Sequence, residues 1–249
     1  MKYIIKFAKR GRMAYISHLD TQHQFLRVLR MVGLRPAYSN GFNPHPKMSF
    51  ALPLSLGFTS ISEYLELETD SKVDEISIIT KLNSILPDGI EVLEFTEKNP
   101  AINKTLASLV SEVTYEVITP IATGVITKVD SLSRDLSFVD SFERRDKLQR
   151  LRNETIRAEL SEFLSQNSII TIKHNRKKDR EEEFDIKPYV LSFELINIWG
   201  KQVMYNCKLL SRDSRTINPL VLLDAFYSYN DSAFSPAESR IQRTDISFK

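Results

Sequence analysis

The run Tyr38-Ser39-Asn40-Gly41-Phe42-Asn43-Pro44-His45-Pro46-Lys47 sets an aromatic ring, an imidazole and a cation within ten residues. Asn40-Gly41 is a turn dipeptide, because both residues tolerate positive φ. Pro44 and Pro46 fix their own φ and hold Asn43 and His45 extended. A backbone this stiff presents Phe42, His45 and Lys47 together rather than letting them wander. Such a set suits an unpaired base, stacked on Phe42 or Tyr38, with its phosphate against Lys47. His45 beside Lys47 also has the makings of a general acid toward a leaving group. The plain alternative is a proline-rich turn that joins two strands, with Phe42 plugging the core.

A second group stands at Ile16-Ser17-His18-Leu19-Asp20. Ser17 with Asp20 three residues on is a capping-box pattern with Asp in place of Glu, so His18 falls at a helix N-terminus. There the helix dipole favours a neutral imidazole, able to act as a base, and free N–H groups favour an anion. Asp20 is equally well explained as a cap. His23, inside the same helix, and His174, in a basic run, read as surface residues. No metal is expected: the spacing matches no ligand pattern such as His-Glu-x-x-His, and Lys47 would repel a cation.

The elements that position these groups follow from periodicity. Tyr3, Ile5 and Phe7 alternate with Lys2, Ile4 and Lys6 as a strand. Leu19, Phe25, Leu26, Leu29 and Val32 recur at helical spacing up to Gly33. A second strand belongs between Arg35 and Leu56. Glu63–Glu68 alternates, with Leu65 and Leu67 facing the helices and the glutamates facing water. Asp74 opens a helix burying Ile76, Ile79, Leu82, Ile85 and Leu86, stopped by Pro87-Asp88-Gly89, and Ile90–Phe95 closes the set. The order is β-α-β-β-α-β, the ferredoxin-like unit.

A linker at Asn99–Leu109 separates a first domain, 1–98, from a second, 110–249. The second half has a strand at Val113–Ile118 and a basic helix near Ser141–Ser165. A short strand at Ile169–Lys173 follows, then a hairpin about Trp199-Gly200. A helix capped by Asn218-Pro219 and a last strand at Arg240–Phe248 complete it. The same order recurs, so the expected fold class is α+β, with two ferredoxin-like domains packed in tandem. The run Lys173, Arg176, Lys177, Lys178 and Arg180 precedes three glutamates and reads as a solvated hairpin tip. The arginines of the long helix interleave with Glu143, Asp146, Glu154 and Glu159, as on a salt-bridged exposed face.

Composition narrows the function classes. Of 249 residues 42% are hydrophobic and 27% charged, enough for two modest cores. No apolar run approaches the ~20 residues that span a bilayer. The charged opening segment is unlike a signal peptide, which predicts a cytoplasmic protein with no membrane role. One cysteine, Cys207, builds no disulfide or metal cluster, so no cofactor is expected from this chain's own thiols. A net charge of +2 is too small to make the whole surface a polyanion binder, so local clusters decide.

Ile16–Asp20, Tyr38–Lys47, Pro53-Leu54 with Gly57, Glu63-Tyr64 and the late Arg240-Ile241-Gln242-Arg243-Thr244 together resemble the radical-SAM-linked protein family of bacteria. The resemblance covers most of the chain. It implies a neighbour of, or a domain fused to, a cobalamin-binding radical SAM protein, and it implies no activity. On it and the loop chemistry, the candidate substrate or RNA contacts are Arg12, His18, Asp20, Tyr38, Ser39, Gly41, Phe42, Asn43, His45, Lys47, Arg240 and Arg243. The expected function is a non-catalytic RNA-binding or substrate-presenting partner of that radical SAM enzyme. One rival is a metal-independent endoribonuclease with His18 or His45 as acid/base and Lys47 or Arg12 on the phosphate. Another is a pure protein-interaction module.

Overall fold

The computed structural model describes residues 1–133, 141–175, 180–212 and 216–249. The architecture is mixed α+β with a large mixed sheet, and the chain divides into two compact units. One holds Met1–Val113, Arg212 and Ile241–Lys249; the other holds Thr114–Ser211 and residues 216–240.

In the first unit, β1 (Lys2–Lys9) lies between β3 (Thr59–Glu68) and β4 (Ile90–Glu97), antiparallel to both, with Ile5 opposite Leu65 and Phe95. The other edge of β3 is shared. β2 (Met48–Phe50) pairs antiparallel along Leu65–Leu67, while β10 (Arg240–Phe248) runs parallel at Thr59 and Ser60. Beyond β10 lies the start of β5 (Val110–Pro120), where Ser111 Oγ donates to the Ser247 carbonyl at 3.1 Å.

The alternation read in β1 holds, with Tyr3, Ile5 and Phe7 buried against Phe25, Val28 and Leu29 of α1 (His18–Met31). Each such side chain contributes about 1.5–3 kcal/mol by leaving water. Ser17 caps α1, accepting from Asp20 N at 3.0 Å, and Gly33 ends it at φ +80°, with Leu34 N bonded back to Leu29 O.

In α2 (Glu75–Asn83) the buried face is Ile78 and Leu82, continued by Leu86 past the helix end. Ile76, expected inside, is 83% exposed, because the face toward the sheet follows the i, i+4 row from Ile78. Gly89 closes against β1: an added Cβ would lie 2.4 Å from the Arg10 carbonyl oxygen, and φ is +97°. The segment read as a linker is tied down. Lys98 Nζ donates to Lys104 O at 2.6 Å and to Glu66 at 3.0 Å, and Leu106 N, at the start of the short α3 (Leu106–Leu109), donates to Glu66 at 3.1 Å.

The second unit has the order β5-β9-β8, from β8 (Val190–Trp199) and β9 (Gln202–Leu210), whose hairpin turns at Gly200 as expected. It also holds α4 (Thr123–Leu132), which the periodicity did not reveal, α5 (Ser141–Ser165) and α6 (Pro219–Tyr229), capped by Asn218. Phe226 of α6 is the hub of its core, with ring centroids 5.4 Å from Phe163 and from Phe193 and 5.9 Å from Tyr205. A separate two-stranded hairpin, β6 (Ile170–Asn175) with β7 (Arg180–Asp185), stands off the sheet. Its turn, with Arg176, Lys177 and Lys178, lies outside the described residues. No described helix is long and apolar enough to cross a membrane.

Candidate functional site

The loop from Ala37 to Lys47 is a braced hairpin. Lys47 N donates to Ala37 O at 2.8 Å, Ser39 N to His45 O at 2.8 Å, and His45 N to Ser39 Oγ at 2.9 Å. Gly41 takes φ +132° at its tip, where a side chain would be strained. Beside it Phe42 is 109% exposed, so the plug reading of that ring does not hold. Asn43, Pro44 and His45 are exposed as well. Tyr38, at the base, is half-exposed, and its hydroxyl accepts from the Arg30 guanidinium at 2.8 Å, which fixes the ring against α1.

Beneath this hairpin opens a cavity of about 330 Å³, lined by Lys2, Ser39, His45, Lys47, Glu66 and Glu68 among others. Lys47 pairs with Glu68 at 2.7 Å and holds that carboxyl below its ordinary pKa. Lys47 is exposed and Glu68 partly so, a setting in which such a pair is worth ~0–1 kcal/mol and can exchange its carboxylate for a phosphate. Glu66 is neutralised by buried Lys98. Lys2 has no ion-pair partner among the described residues, which leaves the cavity a net positive charge. Sequence reasoning overlooked Lys2. Its signal was present: it is the first outward residue of an alternating strand.

His18 belongs elsewhere. Its ring packs edge-on to Phe50, with centroids 4.8 Å apart, over a separate void of about 10 Å³ among Lys9, Thr21, Phe50 and Glu63. Burial, with Lys9 as the lesser cause, lowers its pKa and keeps the imidazole neutral. Asp20 is exposed and accepts from Ser17 Oγ at 2.6 Å, the main cause of its lowered pKa, so it orients the hydroxyl of Ser17, which is the cap. His18 lines one cavity, His45 and Lys47 another, and Phe42 lines neither, so the two groups do not share a pocket.

Below His18 lies an internal charge cluster. Lys9, Glu63 and Arg243 are 3%, 2% and 2% exposed. Arg243 grips Glu63 through Nη1 at 2.8 and 3.0 Å and donates to Pro53 O at 2.9 Å, while Lys9 Nζ donates to Ile16 O at 2.9 Å. Burial raises the Glu63 pKa against the pull of Arg243 and lowers that of Lys9 against Glu63 and Asp20.

The glutamates of β3 thus do not all face water. Glu63 shares the phase of Leu65 and Leu67, and Lys9 that of Tyr3, Ile5 and Phe7. Period two places both inward, a signal the sequence carried and the reading missed. Arg243 is an internal tie, out of reach of a ligand. Arg12 and Arg240 are exposed, Arg12 in a 3-10 turn of the first unit and Arg240 in the second unit. Among the described residues no group of three or more His, Cys, Asp or Glu side chains is placed to hold a metal. Cys207 is buried, with its thiol pushed up to about 12.

Residues 2–219 match the model of a family described as "Uncharacterized protein conserved in bacteria (DUF2344)". No curated protein matches the chain. Among solved structures, one chain of the "Crystal Structure of a Cbf5-Nop10-Gar1 Complex" is similar, at 11% identity and a TM-score of 0.50. That match covers 98% of this chain and 48% of the other, so this chain spans about half the length of the one it resembles.

Proposed function

Because the chain belongs to this bacterial family of uncharacterized proteins, whose description carries no activity, we propose its function from the site itself: it is a non-catalytic RNA-binding or substrate-presenting protein. The observation that carries the reading is Phe42, a wholly exposed aromatic ring on a hairpin braced by backbone hydrogen bonds. Exposing a large apolar ring has no benefit for folding. A rigid, solvent-facing ring beside a cationic cavity is what an unpaired base and its phosphate require. Tyr38 offers a second stacking surface, and Lys2 with Lys47 the phosphate contact. The partner, on the resemblance of the motifs at Ile16–Asp20 and Tyr38–Lys47, is a cobalamin-binding radical SAM protein, to which this chain presents the RNA.

The endoribonuclease alternative is weaker at His18, where a void of about 10 Å³ has no room for a nucleotide. We also read each half as a ferredoxin-like unit. Support comes from the strand orders β4-β1-β3-β2 in the first half and β10, β5, β9, β8 in the second.

The test is fluorescence anisotropy of the full chain with labelled single-stranded RNA, run without metal, followed by analysis of the RNA ends. Saturable binding with intact RNA is expected. Clean 2′,3′-cyclic ends would replace the presenting role with catalysis. No binding at low salt would remove RNA from the reading.

A further inference from the structure

The second unit contains a cavity of about 640 Å³ whose walls include Phe163, Ile169–Ile172, Leu220 and Phe234. Four consecutive residues of one extended segment line it. Side chains of a strand alternate between faces, so a cavity touching four in succession runs along the strand's edge rather than across a face. The two faces of the strand differ: Ile169 is 4% exposed, while Ile170 and Ile172 are 51% and 70% exposed.

Among the described residues β6 pairs with β7 alone. Ile186 N donates to Ile169 O, so the Ile169–Ile186 position is hydrogen-bonded, and antiparallel alternation makes Thr171–Phe184 the next such position. The N–H and C=O groups of Ile170 and Ile172 therefore point away from β7, toward the free edge. An isolated two-stranded hairpin is marginal, and a free edge is a template for another strand.

The groove also has a charge. Asp224 is the one charged residue among the described residues that line it, it is exposed, and no described cation pairs with it. It sits on α6 one turn from Leu220 and one turn from Ser228, on the face that forms the wall.

We propose that this groove docks an extended peptide segment of a partner protein, which adds as a strand to the free edge of β6, buries apolar side chains against α6 and sends a lysine or arginine to Asp224. Main-chain bonds at Ile170 and Ile172 supply the affinity and the side-chain pockets supply the selection. The inference uses no residue of the Tyr38–Lys47 loop and stands apart from the RNA reading.

The test selects binders to the full-length protein from a random peptide library displayed on phage. Enriched peptides are synthesised and titrated by anisotropy, with hydrogen exchange followed at β6. The expected consensus alternates apolar residues around one basic residue. Asp224→Asn should weaken the peptide about tenfold while leaving its Gln-for-Lys version unchanged. The Ile170 and Ile172 amides of the wild-type protein should become protected on binding, a readout that does not depend on any variant folding. Three results would each overturn the proposal: no enrichment, binding that leaves these amides unprotected, and binding indifferent to Asp224→Asn. Small apolar molecules that fill the cavity without protecting the amides would make it a small-molecule site, and self-association through it would make it a dimer interface.

Discussion

Phe42 is the residue on which the functional reading turns, and its exposure makes the test clean. Phe42→Ala deletes no buried contact, so the melting temperature should not move. Affinity for single-stranded RNA should fall about 10- to 100-fold, the ~1–3 kcal/mol of one stacked base. Anisotropy beside a thermal melt reads both, and unchanged affinity would return the loop to a structural turn. Lys2 acts through charge. Lys2→Gln should leave the stacking intact and reduce the slope of log affinity against log salt by about 0.7, one phosphate contact on a single strand.

His18 makes a prediction of a different kind, because its native pKa is held below the ordinary histidine value by burial and by Lys9. In the window between the lowered native value and about 6.5 the unfolded chain binds more protons than the native one. Stability contributed by the neutral ring is therefore complete above 6.5 and lost as the pH falls through that window. Proton NMR should show the His18 ring titrating below 6.5. Urea midpoints should drop between neutral and mildly acidic pH by less in His18→Gln than in the wild type.

Between elements, the tie of β10 to β3 is the Arg243–Glu63 pair, with both side chains 3% exposed. Breaking such a pair from one side strands the other charge in the interior, at a cost of about 3–5 kcal/mol, whereas replacing both partners with apolar residues is far milder. Arg243→Ala should lower the urea-derived stability by that amount. Glu63→Leu with Arg243→Leu should recover only part of it, because Lys9 then loses its anion, and adding Lys9→Met should recover most of the rest. If the single and double variants are equally destabilised, packing rather than charge holds β10 in place.

For the whole molecule, the first compact unit is discontinuous in sequence, since Ile241–Lys249 belongs with Met1–Val113. A fragment ending near residue 105 keeps β1 to β4 but loses β10, so Glu63 is left buried without Arg243 and the upper edge of β3 is bare. That fragment should show weak, non-cooperative unfolding by circular dichroism. Residues 1–113 joined through a flexible linker to 240–249 should restore a cooperative transition. A cooperative, compact 1–105 fragment would show that β10 is dispensable.

Local chemistry was legible in the sequence wherever it acts within a few residues. The Ser17–Asp20 cap, the stop at Gly33, the Trp199-Gly200 hairpin, the Asn218 cap and the alternation of β1 all depend on near neighbours and appear where periodicity placed them. The sequence also determined that Tyr38–Lys47 is a rigid loop, because proline and glycine restrict the backbone wherever they stand. What it left open depends on pairing across long separations. Phe42 outside the core, His18 and His45 in different cavities, and Arg243 as the buried partner of a glutamate 180 residues earlier are set by which strands lie side by side. Period two assigns a residue to a face of its own strand, but only the tertiary structure brings in the opposite charge that lets Lys9 and Glu63 remain on the buried one.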